Sequence, residues 1–269
     1  MTTSHDRSHL LASLEEGIAR LTTSDSWRDH LAFQSRFHRY SYGNVLLIAA
    51  QDREATQVAG FRSWQRLNRT VRKGEKAIWI LAPMVGRRPG SSSDGDERVI
   101  RGFRYVPVFD IAQTHGDDPP LVCTRLEGGD PDGLYPRLVE VARSIDFTIV
   151  NHEFTDTTNG DCSSSARRIR VETRNSPAQR VKTLAHELGH ALLHESVEDR
   201  ALAELEAEST AYVVCRGLGL DTGGYSFGYV ATWAGGGAQA IATIKSCCDR
   251  IQKTATFILR SLEEAPEAA

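Results

Sequence analysis

The chain has 269 residues, 40% of them hydrophobic and 25% charged, with a formal net charge of −3. That is ordinary globular composition, and the length suits one large or two modest domains. No apolar run approaches the roughly 18 residues of a membrane span, and "MTTSHDRSHLLASLEEG" at the N-terminus lacks the basic and apolar segments of a secretory leader.

The five cysteines, Cys123, Cys162, Cys215, Cys247 and Cys248, are odd in number and two are adjacent. They form neither a disulfide framework nor zinc-ribbon spacing, so structural thiols in a reducing cytoplasm are expected. Charge is split between the halves. Residues 1–115 hold 17 Lys and Arg against 12 Asp and Glu, and residues 116–269 hold 15 against 23. A basic half joined to an acidic half fits a nucleic-acid-binding module fused to something else.

In chain order, helices are expected over residues 8–22 and 25–38, the second capped by Ser24 or Asp25. "SYGNVLLIAAQ" opens a third helix, buried through Val45, Leu46, Leu47 and Ile48, and "VAGFRSWQRLN" gives a short helix after Gly60. "KAIWILAP" is continuously apolar and reads as a central strand. "GRRPGSSSDGDER", Gly86 to Arg98, reads as a hairpin loop. "VIRGFRYVPVFDI" is the return strand, where Pro107 hints at an edge or a bulge. "THGDDPP", Thr114 to Pro120, reads as a domain linker.

The stretch from Arg36 to Lys76 holds nine basic and three acidic residues, interleaved with rings. Single-strand binders need both parts, cations for phosphates and flat rings for base stacking. Arg62, Arg66, Arg69, Arg72, Lys73 and Lys76 are the phosphate candidates, and Tyr40, Tyr42 and Trp64 the stacking candidates. Phe61 and Trp64, three apart, fit a core equally well.

The second half opens with a helix near Leu134–Arg143 and a strand at Phe147–Val150. "RRIRVETR", Arg167 to Arg174, alternates as a strand. Then comes "TLAHELGHALLH", Thr183 to His194. Ser176–Pro177 reads as an N-cap followed by Pro at the first helical position. His186 and His190, at i and i+4, share one helix face, and Glu187 stands one step round. Hydrolytic zinc sites use three protein groups and leave a position for water. "ALAELEAESTAYVV", Ala201 to Val214, supplies the third from a second helix: Glu204 as ligand, with Glu208 accepting the free N–H of a ligand histidine. On spacing alone Glu204 and Glu208 are exchangeable, and Glu206 reads as solvated. "YSFGYVATW" reads as a short helix, in which Tyr225 or Tyr229 could donate to an oxyanion. The last helix, from about residue 238 to 264, carries a heptad seam of Ile241, Ile244, Cys248, Ile251, Ala255, Ile258 and Leu262. It would pack within the chain or, less favoured, on a second subunit.

"HELGHALLH" with "ELEAESTAYVVCRGLGLDTGGYSFGYVATW" resembles the zinc metallopeptidase domain of the ArdC-type antirestriction proteins and their ImmA/IrrE-like relatives. "YSYGNVLLIAAQ", "VAGFRSWQRLNRTVRKGEKAIWILAPM" and "FRYVPVFDIAQTHG" resemble the ArdC N-terminal domain, which in that family binds single-stranded DNA. The resemblance covers about residues 8 to 235. It implies an α+β protein, with a basic N-terminal α+β domain over residues 1–115 and a zincin-like domain with a long C-terminal helix over residues 121–269. It also implies that the strand nearest the His-bearing helix, here Arg167–Arg174, pairs with extended substrate.

The expected protein is cytoplasmic, binds single-stranded DNA and holds one zinc ion through His186, His190 and Glu204. Glu187 acts as general base toward a water on the metal, and a protein substrate would be cleaved. The family's role is protection of incoming DNA from host restriction during plasmid or phage entry. Two other readings stand beside it: a regulatory metallopeptidase that cleaves a repressor, and a DNA-binding protein whose zinc is only structural.

Overall fold

The structure, a computed structural model, describes residues 21, 24–87, 98–117, 133–195, 199–220 and 237–264. Most of the helix expected over residues 8–22, the centre of the Gly86–Arg98 loop, Cys123 and the "YSFGYVATW" segment with Tyr225 and Tyr229 lie outside the described residues. The architecture is α+β, in two compact units: Gly43–Pro120, and Met1–Tyr42 together with Leu121–Ala269. The residues before Gly43 thus group with the C-terminal stretch.

In the smaller unit, helix α2 (Tyr42–Gln51) is followed by β1 (Val58–Ala59), α3 (Phe61–Arg66) and β2 (Arg69–Val71). The long strands β3 (Ile78–Arg87) and β4 (Arg98–Asp110) lead into a 3-10 turn and β5 (Thr114–Gly116). One antiparallel sheet has the order β1-β4-β3, and β2 pairs with β5. Val45, Leu46, Leu47 and Ile48 are buried, with Ile78, Ile80 and Val108 of the sheet.

The expectation that "KAIWILAP" is a central strand is corrected: β3 lies at the sheet edge and β4 is central. That edge is nonetheless closed. Two amide side chains of α2 close the outer edge of β3. Asn44 Nδ2 donates to the Leu81 carbonyl at 2.9 Å and its Oδ1 accepts from Leu81 N at 2.8 Å. Gln51 does the same for Trp79, at 2.9 Å in both directions. The next outward-facing position is Pro83, which has no N–H to leave unpaired. An edge closed this way offers no template for another strand. Pro107 faces Trp79 across the β3–β4 pair, and β1 reaches only Phe109 and Asp110, so no strand partner lacks its N–H. The one irregularity of the β3–β4 ladder falls between Met84 and Val85.

The larger unit contains α1 (Ser24–Arg36), α4 (Leu134–Ser144), β6 (Thr148–His152), β7 (Gly160–Ser163) and β8 (Arg168–Glu172). The helices α5 (Pro177–Leu193), α6 (Arg200–Gly217) and α7 (Gly237–Glu264) follow. The sheet order is β6-β8-β7, with β6 parallel and β7 antiparallel to β8. The expectation that Arg167–Arg174 pairs with substrate is corrected too. β8 has a strand on each side, and the edge nearer α5 is β7, whose "GDCS" carries no strand signal.

Helix α6 is the centre of this unit. It packs against α5, α7 and α1, and its Ala203, Leu205, Ala207, Ala211, Val213 and Val214 are buried. The seam of α7 meets it within the chain: Ile244, Cys248, Ile251, Ala255, Ile258 and Leu262 are buried, and Ile241 is half-buried. From α1, the Trp27 indole reaches Ser209 at 3.0 Å. Among the described residues no helix is long and apolar enough to cross a membrane.

Candidate metal centre

Helix α5 begins where its sequence says it should. The Ser176 hydroxyl accepts from Gln179 N at 3.3 Å and Pro177 fills the first turn, where a missing N–H costs nothing. Helix α6 is started by Asp199, whose carboxylate accepts from Ala201 and Leu202 N at 3.0 and 3.1 Å. The two helices cross closely at Gly189, where an added Cβ would lie 3.0 Å from the Cα of Ala207. That approach brings the α6 glutamates to the α5 histidines.

His186, His190 and Glu204 each offer a ligand atom, all within 4.8 Å of one another. His186 Nε2 and His190 Nε2 are 3.1 Å apart, and Glu204 Oε2 lies 3.4 and 3.7 Å from them. Two imidazoles and a carboxylate converging on one point are a donor set fit for a divalent cation. The electrostatics agree. Burial alone would lower the His186 pKa, but the hydrogen bonds it donates to Glu204 and Glu208 more than reverse this and raise it to about 9. The same two histidines hold the Glu204 carboxyl well below its usual range.

Around these three groups stands a second set of polar contacts. Glu208 Oε2 lies 3.0 Å from His186 Nδ1, and Lys182 Nζ lies 3.1 Å from Glu208 Oε1. His190 Nδ1 is 3.0 Å from His194 Nδ1, whose Nε2 is 3.1 Å from Glu206 Oε2. Arg250 Nε donates to Glu206 Oε1 at 2.8 Å. The reading of Glu206 as solvated is corrected: it is 2% exposed. His194, Glu206, Arg250 and Lys182 were missed as site residues. Only His194, four residues beyond His190 on the same helix face, carried a sequence signal.

Glu187 is buried on the wall of a cleft of about 640 Å³, which β7 lines from Gly160 to Ser163 and the three candidate ligands line from α5 and α6. Burial raises its pKa to about 7; His186 opposes the rise, while Glu204 and Asp161 add to it. Cys162, on the same wall, is pushed to about 12 by burial and the nearby Glu187 and Asp161 carboxylates. Gly160 lies beneath Glu187, where an added Cβ would come within 2.6 Å of Thr183 Cγ2 and 3.1 Å of Glu187 Oε1.

The DNA-contact candidates divide sharply. Arg62, Arg66, Arg72, Lys73 and Lys76 are exposed, with Arg72 paired to Glu75 at 2.7 Å. Three expectations are corrected by burial. Trp64 is 0% exposed and its indole donates to the Phe109 carbonyl at 2.9 Å. Tyr42 is 1% exposed, with its hydroxyl 3.0 Å from His30 Nε2. Arg69 is buried, its guanidinium spent on Thr114, Gly116 and Asp117 oxygens. None of the three offers a face to a base or a phosphate. Tyr40 is half-buried against Phe37, the ring centroids 6.3 Å apart. Among the described residues of the Gly43–Pro120 unit, the exposed phenylalanines are instead Phe61, at 45%, and Phe103, at 60%.

Known families match a stretch in each half of the chain. The model of the N-terminal domain of anti-restriction factor ArdC matches residues 7–109, and that of a peptidase family, the IrrE N-terminal-like domain, matches residues 143–215. An uncharacterised protein of Bacillus anthracis is 26% identical over 276 aligned positions, covering 86% of this chain and 47% of the relative. The chain thus spans about half the length of that curated relative. Two crystal structures of antirestriction protein ArdC from the R388 plasmid are similar. The metal-free one has a TM-score of 0.48 at 23% identity, covering 81% of this chain and 84% of ArdC. The Mn(II)-bound one has a TM-score of 0.50 at 22% identity, covering 83% and 85%. The chain thus joins a stretch that matches the ArdC N-terminal domain to one that matches the IrrE N-terminal-like domain, and its fold is ArdC-like.

Proposed function

We propose that this is a cytoplasmic antirestriction-type protein which binds single-stranded DNA through its Gly43–Pro120 unit and carries one zinc-dependent peptidase site in the other. The observation that supports it most is the convergence of His186, His190 and Glu204 beside a buried Glu187. Two imidazoles and one carboxylate suit zinc, and the ArdC solved with Mn(II) is a relative that takes a divalent ion. Bound there, zinc would supply Lewis acidity toward a water and a scissile carbonyl.

The chain's own residues do the rest. Among the described residues the outer edge of β7 has no strand partner; β7 borders the cleft and can pair with an extended peptide, aligning it across the site. Glu187, with its raised pKa, accepts a proton from the attacking water and returns it to the leaving amide nitrogen. An oxyanion donor from Tyr225 or Tyr229 belongs to the same proposal.

For DNA, exposed Arg62, Arg66, Arg72, Lys73 and Lys76 would follow phosphates, with Phe61 the exposed ring beside them. The antirestriction role, protection of incoming DNA during plasmid or phage entry, follows from the family and from nothing in the site.

Incubation of zinc-loaded protein with host extract, reading new protein termini, tests the peptidase. Glu187→Gln is expected to keep its zinc and lose cleavage by about 10²–10⁴-fold. His190→Ala is expected to lose the metal. Glu204→Ala should weaken binding markedly and Glu208→Ala less, and the reverse order would exchange their roles. For DNA, fluorescence anisotropy of the full chain on a labelled oligonucleotide should show affinity falling with salt. Lys73→Ala/Lys76→Ala should flatten the salt slope by about 0.7 for each phosphate that is no longer neutralised. If the double variant binds like the wild type at every salt concentration, those lysines do not touch phosphates. If the wild type itself does not bind, the IrrE-like match favours the repressor-cleaving reading.

A further inference from the structure

The polar chain behind His190 ends on the last helix, far from it in sequence. We infer that His194, Glu206 and Arg250 form a positioning relay that fixes the tautomer and ring orientation of His190, so that α7 holds part of the metal site in place. The inference rests on the metal reading proposed above.

Proton placement carries it. A metal at the His186–His190–Glu204 point takes the lone pair of His190 Nε2, which leaves the His190 proton on Nδ1. Among the described residues, the group set against that Nδ1 is His194 Nδ1, at 3.0 Å. His194 must then accept there, which puts its own proton on Nε2. That atom faces Glu206 Oε2 at 3.1 Å. An ionised carboxylate only accepts, so Glu206 permits this tautomer of His194 and no other neutral one. Arg250 Nε closes the line on Glu206 Oε1 at 2.8 Å, supplying the charge a buried carboxylate requires. Each member of the line dictates the protonation of the one before it. His186 is served differently, by Glu208 and Lys182.

The relay also ties two helices together. Glu206 is 2% exposed and projects from α6, the helix that supplies Glu204, while Arg250 projects from α7. Cys247, one turn before Arg250 on α7, is buried against the same carboxylate. A shift of α7 would therefore reach the ligand through a line of hydrogen bonds rather than through loose packing.

The test is zinc affinity of the full chain by chelator competition, together with the visible absorption of the Co(II)-loaded protein, which reads ligand geometry. His194→Ala is expected to weaken zinc by about 10–100-fold and to alter the cobalt spectrum. Arg250→Met should weaken it by less, with the metal-free unfolding midpoint read alongside. His194→Gln is the rescue: its carbonyl can accept from His190 and its NH₂ can donate to Glu206, so affinity should recover part of the way. Should His194→Ala fail to fold, His194→Gln and Arg250→Met decide the matter. Wild-type affinity and spectrum in folded His194→Ala, or in both of the other variants, would overturn the relay. A wild-type protein that binds no divalent ion would instead bring down the metal reading on which it rests.

Discussion

Gly189, between the candidate ligand histidines, stands where α5 and α6 approach closely, and its replacement sets two effects against each other. Alanine would favour the helix by about 1 kcal/mol. Its Cβ would lie 3.0 Å from backbone at Ala207, which cannot swing aside as a side chain would, and overpacking of this kind costs about 1–3 kcal/mol. Gly189→Ala should therefore lower stability by a net of about 1 kcal/mol in urea unfolding. It should weaken zinc more clearly, because α6 carries both Glu204 and Glu206; unchanged zinc affinity would show that the approach is not needed. A second residue-scale test is pH. Hydrogen bonds from the Arg174 side chain and backbone, then from Phe154 N, hold the Glu172 carboxyl well below the usual range. A carboxyl with a depressed folded pKa contributes stability above its unfolded value, near 4.3, and loses it as pH falls toward the folded one. Glu172→Gln should flatten the acid limb of the stability curve below about pH 5 and leave its shape near neutrality unchanged. The histidine pair and the Ser176 cap were legible because their partners lie within one or two turns. Glu206 was not, because three alternate glutamates look alike until α7 arrives, 44 residues later, with Arg250.

At the scale of elements, the closed edge of β3 is the feature that hydrophobic patterning misread. A run such as "KAIWILAP" signals that a strand is buried on both faces, and says nothing about what satisfies its backbone. Here two helix side chains do so, each exchanging both hydrogen bonds with one strand residue. Asn44→Ala and Gln51→Ala should each cost about 1–3 kcal/mol, since an unpaired N–H and C=O remain behind. Amide hydrogen exchange locates the effect: Leu81 should lose protection in the first variant and Trp79 in the second. Loss at both positions from either substitution would mean that α2 had moved as a whole. The same logic explains why β7 went unseen. "GDCS" is polar, short and glycine-led, and it is a strand because β8 pairs with it, not because its residues prefer one. The hairpin, α5, α6 and α7 were legible because their signals repeat over many residues.

For the whole molecule, the match to the ArdC N-terminal domain runs from residue 7 to 109, yet α1, inside that stretch, belongs structurally with the larger unit, which carries the candidate metal centre. The sequence held no sign of this, because the basic–acidic split and the linker at Thr114–Pro120 mark only one of the crossings between units. Trp27 makes the point testable. It is fully buried in the larger unit, and its indole donates to Ser209 on α6, one residue past Glu208. Truncating such a side chain costs about 3–5 kcal/mol. Zinc supplies a label for the unit that suffers, because a ligand stabilises only the cooperative unit that binds it, by about 2.7 kcal/mol at a hundred times its dissociation constant. Calorimetry of the full chain with and without zinc should show which unfolding transition moves with the metal. Trp27→Ala should lower that same zinc-responsive transition and leave the other where it was. Trp64→Ala, which empties the core of the Gly43–Pro120 unit, should do the opposite. If Trp27→Ala lowers only the transition that zinc does not move, α1 folds with the Gly43–Pro120 unit, and the division at Tyr42–Gly43 is wrong.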